Sequence, residues 1–215
     1  MLNISGRSIK LIIEKDIFGK TIKFVSQSIQ DDAVFLKGKL YDSDLIKKAK
    51  EVMDTFTDED RFIDAGAHVG IFSLMLGKGR AYAFEPDIVN FMYLVQNIQL
   101  NKVNVIPIHE ALFCTEENYE IEKGQHSGLC KLNFSGGIKQ TKVLDKLHFE
   151  GNIKLIKIDV EGLDMQVLLG AIKLIDKFRP FIIIEMTENQ KDIVEFLDRK
   201  NYKLEAISNN LFCSP

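Results

Sequence analysis

The feature that most constrains this chain is an alternation of strand-like and helix-like segments running from residue 61 to the C-terminus. RFIDAG (61–66), RAYAFEP (80–86), VNVIPIHEAL (103–112), NIKLIKIDV (152–160) and PFIIIEM (180–186) are short apolar runs that read as strands. Ile182, Ile183 and Ile184 follow one another without polar alternation, as in a strand covered on both faces. VGIFSLML (69–76), DIVNFMYLVQNIQLN (87–101), DMQVLLGAIKLIDKF (164–178) and ENQKDIVEFLDRK (188–200) read as helices. In the second of these, Ile88, Phe91, Met92, Val95 and Ile98 fall at helical spacing and are assigned to the core. YKLEAIS (202–208) and NNLFCSP (209–215) suit a closing antiparallel pair. The alternation predicts an α/β fold with a doubly wound, mostly parallel, seven-stranded Rossmann-like sheet and right-handed crossovers.

The segment before residue 57 has a different pattern. SIKLIIE and KTIKFVS flank KDIFG within residues 8–26 and predict a hairpin turned at Gly19. DSDLIKKAKEVMD (42–54) predicts a helix capped by Asp42 or Ser43, with Leu45, Ile46, Ala49 and Val52 on one face. The expected organisation is an N-terminal hairpin and helix extension (1–56) on a larger α/β domain (57–215). The extension would lean on the sheet edge or on a second copy of the chain in a homo-oligomer. Residues 114–150 show no clean period and carry Gly124, Gly128, Gly136 and Gly137, so an irregular insertion with short β pieces is expected there.

Composition narrows the function classes. Hydrophobic residues make up 46% of the 215 and charged residues 27%, enough apolar material for a sizeable core. The net charge is −3, with ten Lys/Arg against eight Asp/Glu in residues 1–56 and 18 against 23 in the rest. Neither part is basic enough for a nucleic-acid footprint. No apolar run approaches the roughly 20 residues that span a bilayer, and the charged N-terminus does not read as a signal peptide. Cys114, Cys130 and Cys213 are odd in number and lack zinc-ligand spacing, which fits a reduced cytoplasmic protein.

The binding motif is the strand–turn–helix holding Asp64-Ala65-Gly66-Ala67-His68-Val69-Gly70. In open α/β sheets, ligands sit beyond the carboxyl ends of the strands at the switch point. A glycine there admits a ligand where a Cβ would collide, and Gly70 allows the new helix to pack closely. Glu85 ends the next strand, 21 residues after Asp64, where a carboxylate can accept both hydroxyl hydrogens of a ribose. A dinucleotide site wants G-x-G-x-x-G so that a pyrophosphate can lie on the helix N-terminus. Here His68 stands at the second glycine position and would crowd that group. S-adenosylmethionine carries no phosphate; Asp64 suits the ammonium of its tail and Gly66 suits close contact. The spacing therefore favours S-adenosylmethionine over a nicotinamide dinucleotide. A nicotinamide-dependent oxidoreductase and a non-catalytic cofactor- or glycan-binding module are the rival readings.

The residues also resemble the FkbM-type family of class I S-adenosylmethionine-dependent methyltransferases. FIDAGAHVG resembles its first motif, AFEPD (83–87) its ribose-binding strand end, and NIQLN (97–101) with V-x-V-x-P its next helix and strand. VLD (143–145) resembles its leader to the fourth strand. LIKIDVEGLDMQVLLGA (155–171) matches most specifically, and RPFIIIE (179–185) completes the set. The family usually has Asn where this chain has His68, and LFCTEE after Ala111 lacks the small polar and acidic residues common there. Carried onto this chain, the resemblance places the cofactor along Asp64, Ala65, Gly66, His68 and Gly70, at Glu85 and Pro86, at Glu110 and Ala111, and at Asp159. It implies O-methylation of a sugar, glycan or small secondary metabolite.

Transfer from a sulfonium is an in-line displacement in which the protein mainly aligns donor and nucleophile. A base near a protonated alcohol helps. Asp159 and Glu161, two apart in an extended segment, should face the same side. The apolar LIKI before them should desolvate a carboxylate and raise its pKa. Lys157 opposes that shift if it faces the same way. Glu185 at the end of the fifth strand could join them. The alternative for Asp159 is a structural role, capping backbone N–H groups of the next turn. His126, in the polar QHSGL (125–129), is a further candidate base on a lid-like loop. His109 is expected to be a satisfied core residue and His148 a surface one. Three converging carboxylates would also suit Mg²⁺, but a metal-free site is the favoured expectation.

Overall fold

The computed structural model describes residues 3–4, 7–8, 12–25, 42–123, 130–186 and 190–215. Two short strands, β1 (Asn3–Ile4) and β2 (Arg7–Ser8), pair antiparallel, as do β3 (Ile12–Ile17) and β4 (Lys20–Val25) of the expected hairpin. Phe18 and Gly19 turn that hairpin, both with left-handed φ. Helix α1 (Ser43–Met53) comes next, burying Leu45, Ile46, Ala49, Val52 and Met53. Neither expected cap forms. Asp42 is held at φ 53° without a side-chain cap bond, because its carboxylate instead accepts from Asn210 Nδ2 at 3.2 Å.

The central sheet has seven strands. In chain order they are β5 (Asp60–Ala65), β6 (Arg80–Phe84), β7 (Val105–Ile108), β11 (Asn152–Ile158), β12 (Phe181–Glu185), β13 (Lys203–Ile207) and β14 (Asn210–Ser214). Their spatial order is β13-β14-β12-β11-β5-β6-β7, with β14 running against its neighbours. The doubly wound α/β prediction holds. Side chains alternate between two buried layers: Phe62, Ala81, Ala83, Leu155 and Ile183 face one, and Ile63, Ile156, Ile158, Ile182 and Ile184 the other. That is why the isoleucine run shows no polar alternation. The first layer also contains Ile17, Ile22 and Phe24 of the hairpin and the apolar face of α1.

Three expected helices come out differently. Residues 69–76 form only a 3₁₀ turn, Ser73–Met75. Gly70 sits at φ +95°, outside helical backbone, and a Cβ there would lie 2.7 Å from Leu94 Cδ1. Close packing at Gly70 is realised without a helix. Helix α2 (Ile88–Asn101) starts at Asp87, whose carboxylate caps the N–H groups of Val89 and Asn90. Its apolar stripe is buried only in part: Phe91 and Ile98 pack against the core, Ile88 and Met92 are about half exposed, and Asn90, Leu94 and Asn97 are buried. The asparagines work as connectors. Asn97 accepts from Val25 N (2.7 Å) and donates to Val69 O (2.9 Å), while Asn101 exchanges two bonds with the Lys23 backbone. They dock β4 against α2.

The segment 164–178 is two helices, α3 (Asp164–Leu169) and α4 (Ile172–Phe178). The break falls at Gly170, where a Cβ would come within 2.5 Å of Phe113 O. Asp145 restarts the chain as a helix by accepting from Lys173 N and Leu174 N, both at 2.9 Å. Helix α5 (Gln190–Arg199) buries Ile193 and Leu197. The irregular insertion contains a three-stranded antiparallel sheet of β8 (Asn118–Lys123), β9 (Cys130–Asn133) and β10 (Lys139–Gln140) in the order β10-β8-β9. Among the described residues no helix is long and apolar enough to cross a membrane.

Candidate functional site

A cavity of about 320 Å³ opens where β5, β6, β7 and β11 end, on the carboxyl side of the sheet as the topology demands. Of the sequence-predicted residues, Gly66, His68, Glu85, Pro86, Glu110, Ala111, Asp159 and Glu161 line it. Asp64, Ala65, Gly70 and Glu185 lie outside that lining, and His126 lies outside the described residues. Helix α1 supplies a wall through Asp42, Leu45 and Ile46, and Asn210 reaches in from β14.

The glycine turn forms the floor. Gly66 N and Ala67 N both donate to Phe84 O, at 3.0 and 2.9 Å. Gly66 takes φ +76°, and a Cβ on it would lie 1.8 Å from Asp159 O. Gly66→Ala is therefore expected to destabilise the protein by at least about 2 kcal/mol, from left-handed strain plus a backbone clash. Urea unfolding measures it, and an unchanged midpoint would contradict this packing.

Glu85 is 4% exposed. Its Oε2 accepts from His68 N (2.8 Å), and its Oε1 from Asp87 N (2.9 Å) and, at 3.5 Å, from Asn90 Nδ2. Burial pushes its carboxyl up to about 7 against those donors. A carboxylate offers about four acceptor sites, so Glu85 keeps capacity for donors in the cavity. His68 holds a left-handed backbone at φ 51°.

Beyond β11, Glu161 also sits in left-handed backbone (φ 56°), with Gly162 next at φ 93°. Asp164 pins this turn, accepting from Val160 N (3.1 Å) and Gly162 N (3.2 Å). The capping role considered for Asp159 thus belongs to Asp164. Glu161 is pushed up to about 7, first by burial and then by the charges of Asp159 and Asp164. Glu185 is half-buried and likewise raised to about 7, by burial and by Asp159, Asp164 and Glu161. Asp42 is raised by burial, with Asp159 adding to the effect. Lys157 does face Asp159: its Nζ lies 3.1 Å from Asp159 Oδ2.

Asp64 lies one layer below. It is 1% exposed, with Oδ2 accepting from Ser73 Oγ at 2.6 Å and Oδ1 without a hydrogen-bond donor among the described residues. Lys157, buried yet lining the cavity, sits between Asp64 and Asp159. Sequence reasoning missed Lys157, Asn90, Asp42 and Asn210 as lining residues. His109 is half-buried rather than core. Its ring stacks on Phe91, its Nε2 lies 2.9 Å from Pro86 O, and Lys139 Nζ approaches it at 2.8 Å. His148 is exposed as expected. Among the described residues no group of three or more His, Cys, Asp or Glu side chains could hold a metal ion.

A family model for the methyltransferase FkbM domain matches residues 64–204. The FkbM methyltransferase of Methylobacillus flagellatus KT is 18% identical over 74% of this chain and 43% of its own, with a TM-score of 0.49. The T. thermophilus 16S rRNA N2 G1207 methyltransferase, solved with AdoMet and guanosine, is 13% identical over 96% of this chain and 50% of its own, with a TM-score of 0.56. An rRNA methylase from Streptococcus thermophilus is 14% identical over 78% of this chain and 91% of its own, at 0.51. No curated protein matches the chain significantly. This chain spans half or less of the first two of these structures, and at such identities the likeness to the two rRNA methyltransferase structures reports the fold alone. With the family model covering most of the chain and the glycine turn, Glu85 and the Asp159–Gly162 turn gathered on one cavity, the chain belongs to the FkbM family of methyltransferases.

Proposed function

We propose that this cavity binds S-adenosylmethionine and that the chain transfers its methyl group to a hydroxyl of a sugar, glycan or small metabolite. The observation that carries the reading is Glu85: a buried carboxylate at the cavity edge, fixed by two backbone N–H groups, beside a turn where Gly66 lets the chain pack against the Asp159 carbonyl. The residues fit an adenosyl group. Glu85 accepts a ribose hydroxyl, and Pro86, Glu110 and Ala111 border the base. A pyrophosphate would meet the His68 side chain where a dinucleotide site carries glycine.

When bound, the cofactor supplies a methyl carbon already activated by its sulfonium. Glu161 takes the proton from the acceptor hydroxyl; a carboxyl raised to about 7 suits that task near neutral pH. Asp159, paired with Lys157, orients the acceptor rather than deprotonating it. Glu185 lies outside the lining, and the charges that keep Glu161 basic are those of Asp159 and Asp164. Ala65 and Gly70 support the turn. No metal enters this reading. Residues 1–56 serve as an extension whose α1 walls the cavity onto the 57–215 transferase domain, in a reduced cytoplasmic setting. The acids at the cavity, Asp42, Glu110, Asp159 and Glu161, oppose a polyanionic acceptor and favour a neutral one over nucleic acid.

Transfer of labelled methyl from S-adenosylmethionine to a panel of glycans, nucleotide sugars, hydroxylated metabolites and RNA tests this. Label in an ether of one of the first three classes is expected. Label in RNA alone would overturn the acceptor assignment.

A further inference from the structure

We infer that Lys157 receives the carboxylate of the cofactor's amino-acid tail, with Asp64 supporting Lys157 from behind instead of holding the tail's ammonium. This rests on the proposed binding of S-adenosylmethionine. The tail brings one ammonium and one carboxylate to the glycine turn. The acceptors there already hold an ammonium: Lys157 Nζ lies 3.2 Å from Gly66 O, 3.1 Å from Asp159 Oδ2 and 3.8 Å from Asp64 Oδ1. A second ammonium in the same nest would meet a like charge.

Asp64 itself is 1% exposed and outside the cavity lining, with one oxygen spent on Ser73. The ammonium of Lys157 has three donors. Two point to Gly66 O and Asp159, and the distance to Asp64 Oδ1 exceeds hydrogen-bond length, so one N–H remains for a ligand oxygen. Among the described lining residues Lys157 is also the one lysine or arginine, set among Asp42, Glu85, Glu110, Asp159 and Glu161. A carboxylate entering this cavity therefore has one cationic side chain to find. The Phe72 ring, 5.3 Å from Nζ, backs the ammonium on another side. Although burial alone lowers it, Asp159 and Asp64 hold Lys157 above its usual range, so the charge is present when a ligand arrives.

Calorimetric titration with S-adenosylhomocysteine and with its decarboxylated counterpart tests the assignment by binding alone. The wild-type chain should bind the decarboxylated ligand about tenfold more weakly or worse, as for loss of a charge-assisted hydrogen bond. Lys157→Met should bind the two ligands within about twofold of each other. Because that variant leaves Asp64 buried without its counter-charge, the pair Asp64→Asn with Lys157→Met provides an uncharged nest that should show the same loss of preference. A wild-type chain with no preference, or either variant keeping the tenfold preference, would overturn the assignment. If neither adenosyl ligand binds the wild type, the cofactor reading falls, and this inference with it.

Discussion

Glu85→Ala should weaken S-adenosylmethionine binding by roughly 1.5–3 kcal/mol, the range for hydrogen bonds to a charged group, or about ten- to hundredfold in Kd. The variant removes a buried acceptor whose two oxygens also hold His68 N and Asp87 N, so those N–H groups lose their partner as well. Glu85→Gln is the cleaner companion, because its amide oxygen still accepts. An unchanged Kd in Glu85→Ala would contradict the ribose assignment.

The same group sets a pH dependence with two opposite signs. Glu85 is pushed up to about 7 in the folded protein from a usual 4.5. Between about pH 4.5 and 7 the unfolded chain has released this proton while the folded chain retains it. The contribution to stability, on the order of 3 kcal/mol for a shift of this size, is therefore full below pH 4.5 and lost as pH rises through 7. Glu161 and Glu185, also at about 7, push in the same direction. Asp60, buried but held down to about 2 by bonds from Thr57, Asn152 and Lys154, loses its charge only at lower pH and does not enter this window. Cofactor affinity runs the other way, because the ionised carboxylate is the acceptor, so it should strengthen as pH rises through 7. Thermal unfolding without ligand and calorimetry with it, each from pH 5 to 8, check the two trends. Glu85→Gln should flatten the affinity profile.

The second large effect is expected at Glu161. Glu161→Gln should lower kcat by roughly 10²–10⁴, the usual contribution of a positioned base, while leaving the Kd for S-adenosylmethionine within about threefold. The contrast comes from placement: Glu85 follows β6 while Glu161, on the turn that Asp164 pins, follows β11, with β5 between them in the sheet. The wild-type rate should rise with pH along a limb near 7 that the variant lacks. Equal turnover in the two proteins would reject Glu161 as the base.

The strands were legible because buried parallel strands read as short apolar-rich runs, most plainly the three consecutive isoleucines of 180–186, while 61–66 and 152–160 keep apolar residues between their few charges. Features set by distant partners stayed hidden. The Phe113 carbonyl lying against Gly170, where a Cβ would come within 2.5 Å, is the distant partner that requires glycine at the break. The apolar stripe of α2 told half the story: Phe91 and Ile98 pack on the core, but Asn90 and Asn97 also turn inward to bond Glu85, Val25 and Val69. The 3₁₀ turn in place of a helix at 69–76 comes from Gly70 at φ +95°, which the letter G permits without announcing.

The site divides the same way. Glu85, Gly66, Asp159 and Glu161 were legible as strand ends at fixed spacing. Asp42 and Asn210, 168 residues apart and hydrogen-bonded to each other at the cavity wall, belong to no local pattern. Asp164 could have been found: an acid three residues after Glu161 at a glycine-closed helix start is a turn-pinning signal.

The central claim is that the cavity is shaped for an adenosyl sulfonium. Calorimetric titration of the wild-type chain with S-adenosylmethionine and, in parallel, with NAD⁺ and NADH tests it most directly. Saturable binding of S-adenosylmethionine at one site per chain, with no heat from either dinucleotide, is the predicted result. Binding of a dinucleotide with none of S-adenosylmethionine would contradict it.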